Sequence, residues 1–221
     1  MIIIMLSILL TGFIMQPNPI GQLFIVSAPS GGGKTSLVKN LVAKLDNIEV
    51  SISHTTRDQR AGENDGEHYF FVSLAKFNAM LANGKFIEHA TVYGNLYGTS
   101  CAQIESRLNK GKDVVLDIDW QGAASIRRRY KNSVSIFILP PSLKVLQTRL
   151  TERGRDHEEN IRLRMDEAQA EIKHFAEFDY LIINENFSEA LESLSAIILA
   201  ARVKTSIQTK RYQHLLSLLV G

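Results

Sequence analysis

Residues 23–45 have the sequence LFIVSAPSGGGKTSLVKNLVAKL, and this stretch decides the fold. Its first part, Leu23 to Ser27, is a short apolar run of the kind that forms a strand buried on both faces. The segment from Ser36 to Leu45 then places a leucine at every fourth position, which predicts an amphipathic helix. Between them lies APSGGGKT, residues 28–35, so the predicted order is strand, glycine-rich turn and helix.

The glycine-rich turn predicts a phosphate-binding loop. Glycines let backbone N–H groups turn toward an anion at the N-terminus of a helix. The lysine that ends such a loop contacts the phosphates, and the hydroxyl residue after it holds Mg²⁺. The general pattern has glycine where this chain has Ala28, but the buried strand and the following helix supply the context that the mechanism needs. The predicted ATP-binding residues are Ser30, Gly31, Gly32, Gly33, Lys34, Thr35 and Ser36.

Beyond the loop, strand-like and helix-like segments alternate, which predicts an α/β fold with a parallel sheet covered by helices on both faces. Buried strands are expected at residues 113–119, 134–139 and 179–183. Residues 143–177 are expected to be helical. Their centre, TERGRDHEEN, carries no apolar side chain, so we expect a mobile helical lid at about residues 150–165.

An irregular polar stretch interrupts this alternation and predicts an inserted subdomain. It contains only short strand-like segments, such as Tyr69 to Val72, separated by polar loops. We therefore divide the chain into three parts. These are an apolar extension and linker at residues 1–20, a P-loop core at residues 21–52 and 100–221, and an inserted subdomain at residues 53–99.

Composition excludes several classes of protein. The chain has 221 residues, 45% of them hydrophobic and 22% charged, which is typical of a globular protein. A formal net charge of +2 gives no strong field for a phosphate backbone, so nucleic acid is not an expected partner. The single cysteine, Cys101, cannot form an internal disulfide, which favours a reducing compartment, and we expect the cytoplasm.

The N-terminal run MIIIMLSILLTGFIM, residues 1–15, is almost entirely apolar and ends at QPNP. A secretory signal would add a positively charged start and a small-residue cleavage site, and a membrane span needs about 20 apolar residues. The run has none of these features, so we expect no membrane association. We interpret it as an extension, or as sequence translated upstream of a start at Met5 or Met15.

Two carboxylates follow the buried run Val114 to Leu116 and complete the pattern of a magnesium–nucleotide site. Asp117 stands where P-loop proteins place an aspartate for the metal ion. Side chains in a strand alternate between faces, so a strand continuing through Asp119 would put both carboxylates on one face. We therefore expect both to lie near one edge of the sheet, with Thr35 and Asp117 as the metal-binding pair.

The insert carries residues that suit a phosphorylated acceptor. Arg57 and Arg60 are close in sequence to Tyr69, and arginine forks match phosphate oxygens. On composition alone, two arginines in a polar loop are more often solvated. The isolated acid Glu88 and the segment Tyr97-Gly98-Thr99 favour a binding site instead.

Taken together, these features resemble the guanylate kinase family, from about Gly21 to at least Phe187. The resemblance rests on six motifs in order: SAPSGGGKT at 27–35, SHTTRDQRAGE at 53–63, GEHYFF at 66–71, YGNLYGTS at 93–100, LDIDWQGA at 116–123 and IFILPPS at 136–142. It implies a P-loop kinase fold with a GMP-binding insert and a lid, Mg²⁺ as the cofactor, and ATP and GMP as substrates, with dGMP as a further acceptor.

The resemblance also implies roles for individual residues. The residues similar to the family's contacts with the GMP phosphate are Arg57, Arg60, Tyr69 and Tyr97. Those similar to its guanine contacts are Ser53, Glu88, Thr99 and Asp119. The residues similar to its catalytic cations are Lys34 and the arginines Arg149, Arg153 and Arg164. One departure is Asn184-Glu185-Asn186, where the family often has Asn-Asp-Asp, so no adenine contacts are assigned.

The chemistry of guanine supports this assignment independently. Guanine presents N1–H and its exocyclic amine as two donors, whereas adenine presents a bare N1 acceptor at that edge. A carboxylate such as Glu88 accepts both donors and repels the adenine nitrogen, and leaving such groups unpaired penalises the wrong base. The acceptor phosphate is largely dianionic near neutral pH, so no general base is needed, and His54 and His68 are expected to be structural or peripheral rather than catalytic.

Two alternatives stay open from the sequence. One is a P-loop kinase for a different small phosphorylated acceptor, which would be expected to lack the guanine-contacting set. The other is a non-catalytic binding module of the same fold, which would be expected to have lost the loop lysine or the lid arginines. The sequence does not decide whether the chain forms a homo-oligomer.

Overall fold

The computed structural model describes residues 21–92, 94–152 and 158–221. The predicted extension at residues 1–20, Arg153 and the centre of the predicted lid lie outside the described residues. The strands are β1 (Leu23–Ser27), β2 (Ile48–Val50), β3 (His54–Thr55), β4 (Phe70–Phe71), β5 (Phe86–Val92), β6 (Asn95–Ser100), β7 (Asp113–Asp117), β8 (Val134–Leu139) and β9 (Tyr180–Ile183). The helices are α1 (Lys34–Lys44), α2 (Leu74–Ala82), α3 (Cys101–Asn109), α4 (Trp120–Arg129), α5 (Leu143–Glu152), α6 (Glu158–Ile172), α7 (Phe187–Arg202), α8 (Thr205–Arg211) and α9 (Gln213–Val220), with one 3₁₀ turn at Phe175–Glu177.

The larger sheet has five parallel strands in the order β2-β7-β1-β8-β9. Helices cover both of its faces, because alternate residues of each strand enter two different cores. Phe24 and Val26 of β1 pack with residues of α1 and α7, while Leu23 and Ile25 pack with residues of α3 and α4. The predicted parallel sheet between two helical layers is confirmed, and the carboxyl ends of β1 and β7 meet at one edge.

The smaller sheet has four strands in the order β4-β3-β6-β5. Strands β5 and β6 form an antiparallel pair, β6 pairs with β3, and β4 joins β3 in parallel. Helix α2 packs on this sheet, where the rings of Phe77 and Phe86 stack with their centroids 4.6 Å apart. A Cβ atom at Gly98 would lie 3.0 Å from both rings, so the backbone of β6 approaches them closely. The predicted boundaries of the subdomain stay an interpretation.

Several predicted segments differ from the structure. The strand expected to continue through Asp119 ends at Asp117, because the Asp119 carboxylate accepts a hydrogen bond of 2.8 Å from the Gly122 N–H and caps α4. An N-cap side chain satisfies an orphan N–H of the first helical turn, which ends the strand early. The prediction that Asp117 and Asp119 share a strand face was therefore wrong.

Other differences concern element ends. The helix expected from Ser36 begins at Lys34, directly at the loop, and β4 covers only Phe70–Phe71. Within the segment expected to be helical over residues 143–177, α6 ends at Ile172 and a 3₁₀ turn follows at Phe175–Glu177. Among the helices described, none is long and apolar enough to cross a membrane.

Candidate active site

The phosphate loop joins the carboxyl end of β1 to the first residue of α1. Two of its glycines have positive φ angles, 86° at Gly31 and 93° at Gly33, and Gly33 is the N-cap of α1. Other residues rarely adopt this left-handed conformation. The Gly32 N–H donates a 2.8 Å hydrogen bond to the Pro29 carbonyl and closes the turn. The loop therefore presents its backbone at the positive end of a helix, where anions bind favourably.

Close packing also requires glycine in the loop. A Cβ atom at Gly33 would lie 2.3 Å from Nδ2 of Asn184, and one at Gly31 would lie 2.9 Å from Cδ1 of Leu146. The Asn184 Nδ2 group donates a 3.0 Å hydrogen bond to the Gly32 carbonyl, so it could not easily move away. The loop is thus fixed by its neighbours as well as by its own conformation.

Lys34 and Thr35 both contact the carboxylate of Asp117 at the end of β7. The Lys34 ammonium lies 2.7 Å from Oδ1 of Asp117 and donates a 2.9 Å hydrogen bond to the Ile118 carbonyl. The Thr35 hydroxyl donates to Oδ2 of Asp117 at 3.1 Å. The structure therefore brings together the predicted phosphate-binding lysine and the predicted metal-binding pair. Ser36 follows in the first turn of α1 and is exposed.

Two of the three predicted lid arginines lie beside the phosphate loop. The Arg149 guanidinium donates from Nη2 to the Asn184 carbonyl at 3.0 Å, and its Nη1 is buried with no hydrogen-bond partner among the described residues. Arg164 donates from Nη2 to the Ser30 hydroxyl at 2.9 Å. A buried donor without a partner is uncommon in folded proteins. Arg149 thus places a donor that has no partner among the described residues close to the phosphate loop, which Asn184 also contacts.

A buried acid lies at the centre of the predicted guanine contacts. Glu88 is only 5% exposed, and its Oε1 accepts a hydrogen bond of 2.5 Å from the Thr99 hydroxyl. The Ser53 hydroxyl lies 3.2 Å from that of Thr99. Burial raises the pKa of Glu88 from 4.5 to about 7, and the hydrogen bond from Thr99 opposes this rise. A carboxylate held in so dry a place is a strong acceptor for a ligand that brings N–H donors.

Asp119 approaches this cluster from α4, although it does not lie on the strand. Its negative charge adds to the rise in the Glu88 pKa, and Glu88 itself packs against Gly122 in the first turn of α4. A Cβ atom at Gly122 would lie 2.7 Å from Oε2 of Glu88. Glycine at this position therefore leaves room for the carboxylate.

Arg57, Tyr69 and Tyr97 form a second group on the smaller sheet. The Arg57 guanidinium lies 5.4 Å from the centroid of the Tyr69 ring, and the centroids of the two tyrosine rings are 5.9 Å apart. Arg57 forms hydrogen bonds of 2.8 and 3.0 Å to the two carboxylate oxygens of Glu63. The Arg60 side chain is exposed in the same loop, and the Arg60 backbone contacts Glu63, with its N–H donating to the carboxylate at 2.9 Å and its carbonyl accepting from the Glu63 N–H at 3.1 Å. The structure therefore gathers three of the four predicted phosphate contacts and leaves Arg60 at the solvent.

Charges of the two parts of the site influence each other. Burial raises the pKa of Tyr69 to about 12, and the Asp117 carboxylate contributes to that rise. The positive charge of Lys34 acts in the opposite direction on Glu88 and lowers its pKa. Such coupling requires proximity, since interactions between exposed charges fade beyond about 10 Å. The phosphate loop and the buried acid are therefore close enough for their charges to interact.

Comparison with known proteins agrees with this arrangement. A family model described as guanylate kinase matches residues 20–201. Guanylate kinase from Legionella pneumophila (strain Lens) is 52% identical over 201 residues, which cover 91% of this chain and 96% of that protein. Guanylate kinase from Escherichia coli (strain K12) is 52% identical over 203 residues, covering 91% and 98%. The chain belongs to the guanylate kinase family.

A solved structure of the guanylate kinase family has the same fold. The crystal structure of guanylate kinase from Anaplasma phagocytophilum matches with a TM-score of 0.72 and 36% sequence identity, covering 86% of this chain and 90% of that chain. The resemblance inferred from the six sequence motifs is thereby confirmed.

Sequence reasoning missed two residues that contact the phosphate loop of this guanylate kinase family member. Asn184 contacts the Gly32 carbonyl, and Oε2 of Glu171 accepts a 3.1 Å hydrogen bond from the Ser30 N–H. Asn184 directly follows β9, and ligands of parallel sheets bind beyond the carboxyl ends of strands, so that position carried a usable signal. Glu171 lies in a charged helix, and no sequence pattern distinguishes it from its exposed neighbours.

The two histidines of the insert lie in packing and loop positions. His54 stacks on Phe70 with ring centroids 4.8 Å apart, and burial followed by the charge of Lys76 lowers its pKa. His68 accepts a 3.0 Å hydrogen bond at Nδ1 from the Asn64 N–H. Both environments agree with the structural roles expected from the sequence.

Proposed function

We propose that this chain transfers the γ-phosphoryl group of ATP to GMP, giving ADP and GDP, with Mg²⁺ as the cofactor. Membership of the guanylate kinase family supports the phosphorylation of GMP by ATP. The observation that carries the assignment to this site is the buried carboxylate of Glu88, which lies within the electrostatic reach of the loop lysine Lys34. An acceptor for guanine N–H donors thus borders a loop for phosphates.

The donor nucleotide binds at the phosphate loop in this proposal. Its phosphates accept hydrogen bonds from the backbone N–H groups between Ser30 and Ser36, and Lys34 leaves Asp117 to contact them. The positive φ angles at Gly31 and Gly33 keep the loop open for this approach. The N-terminal end of α1 adds a favourable field for the negative charge.

Thr35 and Asp117 fit the magnesium ion. Their hydroxyl and carboxylate oxygens lie 3.1 Å apart at the mouth of the loop, and oxygen ligands of this kind suit Mg²⁺. Kinase sites hold Mg²⁺ through one or two protein ligands together with the phosphates of the nucleotide, so two such residues suffice. When bound, the ion offsets the charge that develops on the β- and γ-phosphate oxygens.

The arginines Arg149, Arg153 and Arg164 complete the positive charge around the transferred group in this proposal. The buried Nη1 donor of Arg149 has no partner in the part of the chain that the structure describes, and a phosphoryl oxygen would satisfy it. Arg164 is already held at the loop by Ser30. Arg153 lies outside the described residues, and its role rests on the family resemblance.

The acceptor base binds at Glu88. Its carboxylate accepts N1–H and the exocyclic amine of guanine, Asp119 assists from α4, and a hydroxyl from Ser53 or Thr99 donates to guanine O6. The Thr99 hydroxyl donates to Glu88, and the Ser53 hydroxyl lies 3.2 Å from it, so Ser53 can turn its proton toward O6 while Thr99 stays bonded to the carboxylate. The ionised Glu88 carboxylate has no proton to donate to the bare N1 of adenine, which supports selectivity for guanine.

The acceptor phosphate binds at Arg57, Arg60, Tyr69 and Tyr97. The Glu63 carboxylate holds the Arg57 fork in place, and the Tyr69 and Tyr97 rings meet edge to face at an interplanar angle of 67°. A phosphate at this place attacks the γ-phosphoryl group in line, and the protein contributes positioning and charge compensation. The second pKa of a phosphate is about 6, so the nucleophile is already deprotonated near neutral pH.

A coupled ADP-release assay tests the proposed function. GMP, dGMP, AMP, UMP and dTMP are compared as acceptors, with ATP and Mg²⁺ held constant. Rapid turnover with GMP and dGMP and little with the others is expected. Preferred turnover of another acceptor would support a different P-loop kinase, and no turnover with any acceptor would support a binding module.

Further parts of the proposal concern the setting of the enzyme. The partners are the small molecules ATP and GMP, without nucleic acid or membrane. The single free thiol, Cys101, agrees with a cytoplasmic location, where thiols are kept reduced. Size measurement in solution decides whether the chain forms a homo-oligomer.

A further inference from the structure

Helices α5 and α6 hold the phosphate loop through contacts with Ser30 and Gly31. Oε2 of Glu171 in α6 accepts a 3.1 Å hydrogen bond from the Ser30 N–H, and Arg164 in the same helix donates to the Ser30 hydroxyl at 2.9 Å. The adjacent Gly31 packs against Leu146 and Leu150 of α5. One loop residue is thus held by its backbone and its side chain, and the next by apolar contact.

The position of Glu171 explains why it reaches the loop. Arg164, Ala168 and Glu171 are spaced four and three residues apart, so they share one face of α6. Ala168 is fully buried in the small core that α5 and α6 form. This core fixes the rotation of the helix, so Arg164 and Glu171 point toward the loop from two successive turns.

Glu171 is also part of the electrostatic environment of the site. Burial raises its pKa above the ordinary value, while the Ser30 N–H and the charge of Lys34 act in the opposite direction. A carboxylate this close to a phosphate site repels an anionic ligand. The hydrogen bond to Ser30 is the contact that offsets this cost.

We infer that Glu171 is a positioning residue that holds the phosphate loop in its ATP-binding conformation through the Ser30 N–H. The inference rests on the proposed function, because it assigns the loop to ATP. Helix α6 carries both Glu171 and Arg164, so a shift of this helix would be transmitted to the loop through Ser30. Without the acceptor, the loop populates other conformations, and the apparent affinity for nucleotide falls by the fraction that stays competent.

The expected effect follows from the strength of the contact. A hydrogen bond to a charged group corresponds to roughly ten- to a hundredfold in an equilibrium constant. Loss of the Glu171 acceptor should therefore weaken ATP and ADP binding by about tenfold or more. GMP binds at Glu88 on the other sheet, so its affinity should change by less than about twofold.

Two variants separate the reach of the side chain from its charge. Glu171→Asp keeps the charge and shortens the side chain by one methylene, which removes the acceptor from the Ser30 N–H. Glu171→Gln keeps the length and the acceptor oxygen and removes the charge. Glu167→Asp and Glu167→Gln are matched controls, because Glu167 lies one turn earlier on α6 and makes the same exchange.

The measurements are the KM values for ATP and GMP and the dissociation constant of ADP alone by calorimetry. We expect Glu171→Asp to raise the ATP KM and the ADP dissociation constant about tenfold, and Glu171→Gln to stay within about threefold of the unmodified protein. The Glu167 controls should stay within about twofold, and the GMP KM should not move in any variant.

Three results would overturn the inference. These are unchanged ADP affinity in Glu171→Asp, an equal loss in Glu171→Gln, or an equal loss in the Glu167 controls. The ADP measurement needs no turnover, so it separates this inference from the proposed function. Failure of the unmodified protein to phosphorylate GMP would refute the function, while a tenfold loss of ADP affinity confined to Glu171→Asp would still support the positioning role.

Discussion

The substitution Glu88→Gln exchanges one carboxylate oxygen for an amide NH₂ at the centre of the base-binding cluster. Glu88 is 5% exposed and accepts the Thr99 hydroxyl at 2.5 Å. A glutamine has the same length, and its carbonyl oxygen can still accept from Thr99. The NH₂ group would replace Oε2 near Gly122 and Asp119, where a donor is more favourable than a second negative charge.

The magnitude follows from the pKa of Glu88, which burial raises from 4.5 to about 7. Between these values the folded protein binds more protons than the unfolded chain, so the free energy of unfolding decreases as pH rises. Each pKa unit corresponds to about 1.4 kcal/mol, so ionised Glu88 costs the folded state roughly 3 kcal/mol above pH 7. Glu88→Gln removes this cost. The variant should therefore be more stable than the unmodified protein at pH 8, by up to roughly 3 kcal/mol, with little difference at pH 5.

Guanidinium denaturation at pH 5 and pH 8 gives the free energy of unfolding, and thermal melts with and without GMP report ligand binding. The amide presents a donor to a donor of guanine, so GMP should no longer raise the melting temperature of the variant, while ADP still should. Glu192→Gln, at an exposed ion pair with Lys44, is the matched control and should change stability by less than about 1 kcal/mol. Lower stability of Glu88→Gln at pH 8, or an undiminished response to GMP, would refute the reasoning.

Three further predictions concern the same site. Lys34→Ala should lower kcat by about a hundredfold or more in the GMP assay and leave the fold intact by circular dichroism, with exposed Lys39→Ala as the control; near-normal turnover would contradict the role of Lys34. Binding of guanosine, which has no phosphate to titrate, should release up to about one proton from the protein at pH 6, because Glu88 must ionise to accept both donors. Calorimetry in buffers of different ionisation enthalpy measures the number of protons released, and the same release in Glu88→Gln would exclude Glu88 as the source. Gly33→Ala should lower ADP affinity by about tenfold or more, because the new Cβ would lie 2.3 Å from Asn184. Gly84 also has a positive φ but lies in open space, so Gly84→Ala should only lower the free energy of unfolding, by about 1 kcal/mol. Equal ADP affinity in the two variants would contradict the steric argument.

The phosphate loop could be predicted because the residues that form it are adjacent in sequence. Gly31 to Thr35 form one turn, and the apolar run before it and the leucine spacing after it define the strand and the helix on either side. Asp117 could be added because a carboxylate at the end of a buried strand lies at the same edge of a parallel sheet. Each of these inferences needed only neighbouring residues and a general rule of sheet geometry.

The remaining features depend on contacts between distant parts of the chain. The hydrogen bond from Ser30 to Glu171 joins residues 141 positions apart, and the one from Asn184 to Gly32 joins residues 152 apart. No local pattern indicates which face of a charged helix meets a loop. Asp119 shows a different limit, because alternation of strand residues and capping of a helix are both reasonable for an aspartate there, and only the structure distinguishes them.

In the proposed function, the ion pair between Lys34 and Asp117 would link the binding of nucleotide to the binding of metal. At 2.7 Å, with both side chains about one-fifth exposed, the lysine and the Thr35 hydroxyl occupy both oxygens of the carboxylate. When phosphates attract Lys34 away, one oxygen of Asp117 loses its cation. The Asp117 charge also raises the pKa of the buried Tyr69, so the carboxylate lies close to a group that burial already affects. A partly buried carboxylate that loses its partner is unfavourable, so a second cation is then bound more tightly than in the free protein. Nucleotide and Mg²⁺ should therefore bind with positive coupling, and by linkage each should raise the affinity for the other by the same factor.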